Sequence, residues 1–176
     1  FTNPYSINDN VINTFCSDRE GGIWIGTFFG GVNYYSGSLS SFQKYSPLSG
    51  DNKLSGNLVH EICQDDAGYI WIGTEDAGLN KLDPVSGKVR HFMPGMGAGS
   101  ISYQNIHGLA VAGNELCIGT YEHGLDVMDL RTEKVIRHYK DGPGSTDLKG
   151  NFIVALHKTG KGEVLVGTWN GLFKYN

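Results

Sequence analysis

The residues with the widest chemical reach in this chain are its six histidines, His60, His91, His107, His123, His138 and His157. Each could bind zinc or act as a general base near neutral pH. No two of them stand i, i+4 apart or share a turn, so the spacing of a helical zinc motif is missing. His91 and His138 follow Arg90 and Arg137 at equivalent places, which reads as a solvated strand edge. The pair Asp65-Asp66 offers two carboxylates, but Gly68 follows closely and calcium needs more oxygen ligands than the segment holds. Turn formation accounts for it. Cys16, Cys63 and Cys117 are odd in number and form no Cys-x-x-Cys pair, which argues against a disulfide framework and against a zinc knuckle. They read as small buried hydrophobes. Neither a Gly-x-Ser-x-Gly elbow nor a phosphate-binding loop occurs. The expectation is no metal, no cofactor and no catalytic residue.

A second set of side chains suits recognition better. Phe28-Phe29, Glu75-Asp76-Ala77, Tyr121-Glu122-His123 and Trp169-Asn170 each follow a near-constant segment and differ from one another in size, charge and aromaticity. Aromatic planes stack on the C–H faces of sugar rings while carboxylates and amides meet their hydroxyls. The candidate ligand face is therefore Phe28, Phe29, Glu75, Asp76, Tyr121, Glu122, His123, Trp169 and Asn170. The competing expectation is that these side chains pack on connecting segments such as Met93 to Ser102.

What must position them is a repeat. Trp24-Ile25-Gly26-Thr27 returns as Trp71-Ile72-Gly73-Thr74, Cys117-Ile118-Gly119-Thr120 and Leu165-Val166-Gly167-Thr168, with glycines spaced 73−26=47, 119−73=46 and 167−119=48. Asn10, Asn57, Asn105 and Asn151 stand upstream at matching places, and Gly31-Val32, Gly78-Leu79, Gly124-Leu125 and Gly171-Leu172 follow downstream. Each copy reads as four short antiparallel strands. In the second they are Leu58 to Cys63, Tyr69 to Thr74, Gly78 to Leu82 and Lys88 to Met93, separated by the turns Asp65-Asp66-Ala67-Gly68 and Asp83-Pro84-Val85-Ser86-Gly87. Helical periodicity is absent. Four-stranded units of this length, repeated, predict an all-β fold of propeller blades that bury their faces on each other. The expected blades are 6–46, 54–93, 100–140 and 148–176. Trp24 and Trp71 fill the space between blades, the glycine supplies a positive φ or a close backbone approach, and the threonine hydroxyl satisfies a turn amide.

The pattern resembles the two-component regulator propeller repeat. Asn57, Val59, Ile62, Asp65, Gly68, Trp71-Ile72-Gly73-Thr74, Gly78 and Leu79 carry it most fully; Asn10, Ile12, Phe15, Asp18, Gly21, Trp24-Ile25-Gly26-Thr27, Gly31 and Val32 carry it in the first copy. The third copy departs, with His107 at the first apolar place, no Asp, and a turn through Gly113-Asn114 that reads as two residues shorter; the fourth has Thr159 for Asp. The resemblance implies a periplasmic sensor region of an inner-membrane hybrid two-component system, concerned with glycan use. Its propeller would have about seven blades, and an immunoglobulin-like domain, a membrane helix and a histidine kinase would follow. On that reading the chain is a non-enzymatic fragment. Its expected partners are an oligosaccharide, the remaining blades and downstream domain, and a second copy in a homodimer of the full-length protein. The fourth blade is expected to lack its outer strand, of which Phe1 and Thr2 are at best the tail, so its edges stand unpaired.

Composition narrows the alternatives. The chain has 176 residues, 39% hydrophobic and 26 of them glycine, which describes a folded domain and excludes disorder. A net charge of −4 without a Lys/Arg run leaves no footprint for nucleic acid. No apolar stretch approaches the roughly 20 residues of a membrane helix. Since Phe1 is not Met, any targeting peptide is expected to lie outside the sequence. Two other functions compete with sensing: a protein-interaction scaffold, and a polysaccharide-degrading enzyme in which Glu75, Asp76 and Glu122 would be the nearest acids and bases.

Overall fold

Short runs of alternating β-branched and aromatic residues, each ended by a turn glycine or aspartate, leave this chain little choice but antiparallel hairpins. The computed structural model describes residues 7–36, 42–47, 53–144 and 147–176. Phe1 and Thr2 lie outside the described residues. The first sheet takes β1 (Ile12–Ser17), β2 (Ile23–Thr27), β3 (Val32–Tyr35) and β4 (Phe42–Tyr45). The second takes β5 (Val59–Gln64), β6 (Ile70–Thr74), β7 (Leu79–Leu82) and β8 (Val89–Phe92), and the third β9 (Ile106–Ala112), β10 (Glu115–Thr120), β11 (Leu125–Asp129) and β12 (Lys134–Tyr139). The fourth has three strands, β13 (Ile153–Lys158), β14 (Val164–Thr168) and β15 (Gly171–Tyr175). Every sheet runs in chain order with antiparallel neighbours. First strands of successive sheets meet, β1 with β5, β5 with β9 and β9 with β13, so they lie innermost and the sheets follow one another as propeller blades. Among the described residues there is no helix, hence none long and apolar enough to cross a membrane.

The core is three inter-blade layers. Trp24, Val32 and Tyr45 of the first blade meet Val59, Ile62, Ile70, Ile72 and Leu82 of the second. Trp71 and Leu79 then meet Ile106, Leu109, Leu116, Ile118 and Met128, and Cys117, Leu125 and Val127 meet Ile153, Val164 and Val166. Both tryptophans are fully buried there, as their repetition predicts. Each indole N–H donates to a carboxylate that also caps the preceding turn. Trp71 Nε1 donates to Asp65 Oδ2 at 2.8 Å while Asp65 Oδ1 accepts from the amides of Ala67 and Tyr69, both at 3.0 Å. Trp24, Asp18, Glu20 and Gly22 repeat the arrangement.

The glycine of the repeat works differently from the sequence expectation. Gly26, Gly73 and Gly119 do not adopt positive φ, and what approaches them is a side chain of the next blade. A Cβ on Gly73 would stand 2.6 Å from Ile106 Cγ2, and one on Gly119 would stand 2.4 Å from Ile153 Cγ2. Each blade thus inserts the branched residue that opens its first strand into the glycine notch of the blade before. Positive φ belongs instead to the next glycine, as at Gly78 (75°). Its amide donates across the blade junction, Gly31 to Asn57 O, Gly78 to Gln104 O and Gly124 to Asn151 O, at 2.8 to 2.9 Å. The threonine behaves as expected: Thr74 Oγ1 donates to Gly78 O and accepts from Ala77 N.

These junction bonds correct the alignment of the third repeat. Gln104, rather than Asn105, is the counterpart of Asn57, and Ile106, rather than His107, is the counterpart of Val59. Counted that way, 71−57=14 against 117−104=13, so the third turn is one residue shorter, not two.

The two outermost faces differ from the three interfaces. Ile12 is 52% exposed where Val59, Ile106 and Ile153 are fully buried, and Phe15 is 74% exposed. At the other end the atom nearest to a Cβ on Gly167 would be Ala155 O, 3.5 Å away. A knob without a notch closes one end and a notch without a knob the other, as in a segment of a larger propeller.

Candidate functional site

In all four blades the pairing of first and second strands slips at one place, leaving one extra residue on the inner strand: Asn13, His60, His107 and Val154. Such a bulge takes a residue out of the ladder and re-aims its side chain. Beside it stand the residue before the inner strand (Val11, Leu58, Asn105, Phe152) and the first residue after the repeat threonine (Phe28, Glu75, Tyr121, Trp169), joined in the first three blades by amide-to-carbonyl bonds such as Glu75 N to Leu58 O at 3.1 Å. Three side chains per blade are thereby delivered to the inner rim at one end of the blades.

The second and third blades place chemistry there. His60 and Glu75 are hydrogen-bonded through Nε2 and Oε2. The His107 ring lies against His60 at a tilt of 37° with ring centroids 4.4 Å apart, and its Nε2 lies 3.5 Å from Glu75 Oε2, in charge range but without a hydrogen bond. That Nε2 is buried and has no partner. Burial raises the Glu75 carboxyl, but the His60 hydrogen bond and charge, the Asn105 amide and His107 outweigh it and hold the group below the usual carboxylate range. Burial and the charge of His60 push the His107 imidazole below its ordinary value. Rings continue the rim: His107 to Tyr121 at 5.3 Å, Tyr121 to Phe152 at 4.5 Å, Phe152 to Trp169 at 4.9 Å. Trp169 ends the row 77% exposed.

Of the nine candidate residues, the structure brings Glu75, Tyr121 and Trp169 onto one continuous rim. Phe28 holds the same place in the first blade, in edge contact with the exposed Phe29. Three others turn toward the connection that enters their own blade. His123 stacks on Tyr103 at 4.1 Å, Asp76 approaches Gly56, and Asn170 approaches Gly150. Glu122 is exposed. His60, His107, Asn105 and Phe152 belong to the rim and were not among the candidates. The reading of all six histidines as dispersed fails for His60 and His107, which are neighbours across a blade junction. It also needs amending at His138, whose Nδ1 bonds the fully buried Asp126 rather than facing solvent alone. Cys117 behaves as a buried hydrophobe; burial and the Glu115 charge push its thiol up to about 12.

At the opposite end a cleft of 530 Å³ between the first two blades is lined by the turn residues Asp18, Gly68 and Val85 with Trp24 and Tyr34 behind them. Glu20, Asp83, Gln64 and Tyr69 also line it.

Residues 6–29 and 53–76 match the family model described as two component regulator propeller, and the chain carries this repeat in its first two blades. No curated protein sequence matches the chain. Among solved structures it is similar to the extracellular domain of a hybrid two-component system from B. thetaiotaomicron, at 26% identity and a TM-score of 0.84 over 99% of this chain and 23% of that one. A second extracellular domain from the same organism, described as a one-component system, gives 24% identity and 0.76 over 96% of this chain and 22% of that one. The WD40 β-propeller domain of Doa1, at 10% identity and 0.66 over 93% of this chain and 49% of that one, shares the fold alone. The chain thus spans less than a quarter of the length of the two bacterial domains.

Proposed function

We propose that this chain is a non-enzymatic segment of a periplasmic sensor propeller in a hybrid two-component system, and that its inner rim recognises an oligosaccharide. The observation that carries the reading is the row Tyr121, Phe152 and Trp169 continuing from Glu75 on a rigid frame. Flat rings that can accept sugar C–H faces stand beside a carboxylate and an amide that can accept and donate hydroxyl hydrogen bonds. The likeness to extracellular domains of two-component systems supports the setting. A polysaccharide-cleaving role fits less well. Glu75 is held ionised and engaged by His60, while Asp76 packs on the entering connection, so these two do not face each other as acid and base across the rim. Further blades, a downstream domain and a second copy of the sensor complete the partners of this reading.

The test is calorimetry with a panel of oligosaccharides on the longest ectodomain that contains these blades, with Trp169→Ala and Tyr121→Ala beside it. Stacking on one aromatic side chain is worth about 1 kcal/mol, so each variant is expected to weaken binding about fivefold or more with the fold intact. Binding unchanged in both places recognition elsewhere. Capture of a protein domain with no glycan bound turns the reading to a scaffold.

A further inference from the structure

We propose that His60, His107 and Glu75 form a site for one divalent transition-metal ion, zinc by the nature of its donors, bridging the second and third blades. The donor atoms all lie within 4.8 Å of one another, and His107 Nε2 is 3.5 Å from Glu75 Oε2. Ligands about 2.0 to 2.2 Å from a tetrahedral zinc stand roughly 3.3 Å from each other, so the cluster closes on an ion with side-chain adjustments alone. Two imidazoles and one carboxylate are a three-ligand set that leaves a fourth position for water or another oxygen donor. Imidazole donors disfavour calcium and magnesium, which take oxygen ligands.

One further observation points to an occupant. The Nε2 of His107 is buried without a hydrogen-bond partner, a state that a native interior rarely leaves unanswered. Tyr121 and Phe152 cover the His107 ring at 5.3 and 5.5 Å, the kind of outer shell that orients ligands. His60 and Glu75 keep an exposed edge on the rim, so the fourth position faces solvent. The inference uses Glu75 and the histidines in another role from the glycan reading and does not depend on it.

The experiment takes the full chain, stripped by a chelator, and titrates it with zinc chloride by calorimetry and with cobalt(II) by visible absorption. One equivalent of zinc is expected, with the intense visible bands of a low-coordinate cobalt site. His107→Ala and Glu75→Gln should each weaken zinc at least about tenfold, the size seen when merely an outer-shell partner is lost. His157→Ala, on an exposed strand position, should leave the affinity unchanged. Zinc should raise the melting temperature of the parent and not of the Glu75→Gln chain, which keeps the shape of the side chain and guards against a His107→Ala chain that does not fold. Failure to take up zinc at micromolar concentrations, or uptake that survives both His107→Ala and Glu75→Gln, overturns the proposal. A glycan panel without a hit leaves these outcomes untouched.

Discussion

The second and fourth blades come from one repeat and are held in different ways. In the second, Trp71 is sealed between blades with its indole on Asp65, and Gly73 receives Ile106. In the fourth, Leu165 and Thr159 take the places of that pair, the Thr159 hydroxyl accepts only the Lys161 amide at 3.3 Å, and the Gly167 notch is open. The third blade again lacks both members, having Cys117 for the indole and Ala112 opposite Glu115 for the carboxylate. Indole and aspartate therefore come and go together. A buried N–H without an acceptor, or a buried carboxylate without donors, is worse than neither.

The largest effect that can test this contrast is the loss of the indole. Trp71→Ala is expected to destabilise by about 3 to 5 kcal/mol in chemical denaturation, and Leu165→Ala, at an open face, by well under half of that. Equal losses would mean that the blade junctions do not carry the stability. Next comes Asp65→Ala, expected at about 2 to 3 kcal/mol, because the indole and two turn amides lose their acceptor. In a double-mutant cycle, Asp65→Ala combined with Trp71→Leu should cost less than the two separately, by about 1 to 2 kcal/mol; strict additivity would deny that the pair is one unit. Gly73→Ala should follow at about 1 to 3 kcal/mol from overpacking against Ile106, while Gly167→Ala should be neutral or slightly stabilising. The same Gly167→Ala change made in a longer chain and found destabilising would reveal a further blade seated in that notch. Smallest of all, Thr159→Asp should shift stability within about 0.5 kcal/mol, since Leu165 offers no N–H to reward a carboxylate.

The frame was open to sequence reading because it depends on local chemistry. The strands of the second blade fall within one residue of their expected bounds, since Asp65, Gly68, Asp83 and Gly87 mark turns wherever they stand. Asp65 was legible as a turn former but not as the partner of Trp71, a contact across six residues that only burial makes necessary. The metal-ligand cluster stayed hidden for a different reason. In a repeat fold the meaningful spacing is the repeat itself, and 107−60=47 equals one. Aligning Asn105 with Asn57 displaced His107 by one place and concealed that it and His60 occupy the same position. Of the variable turns, only the first residue reaches the rim; the rest follow the entering connection, which composition does not distinguish.

The bulge on each inner strand has an evolutionary side. Because Asn13, His60, His107 and Val154 stand outside the ladder, exchanging one leaves the strand register as it was. Every blade therefore contributes, at this place, a letter that can change without shifting the ladder. Duplicating a blade lengthens the word, and a single codon change respells it, so repeats of this kind can vary the chemistry of the rim on one scaffold.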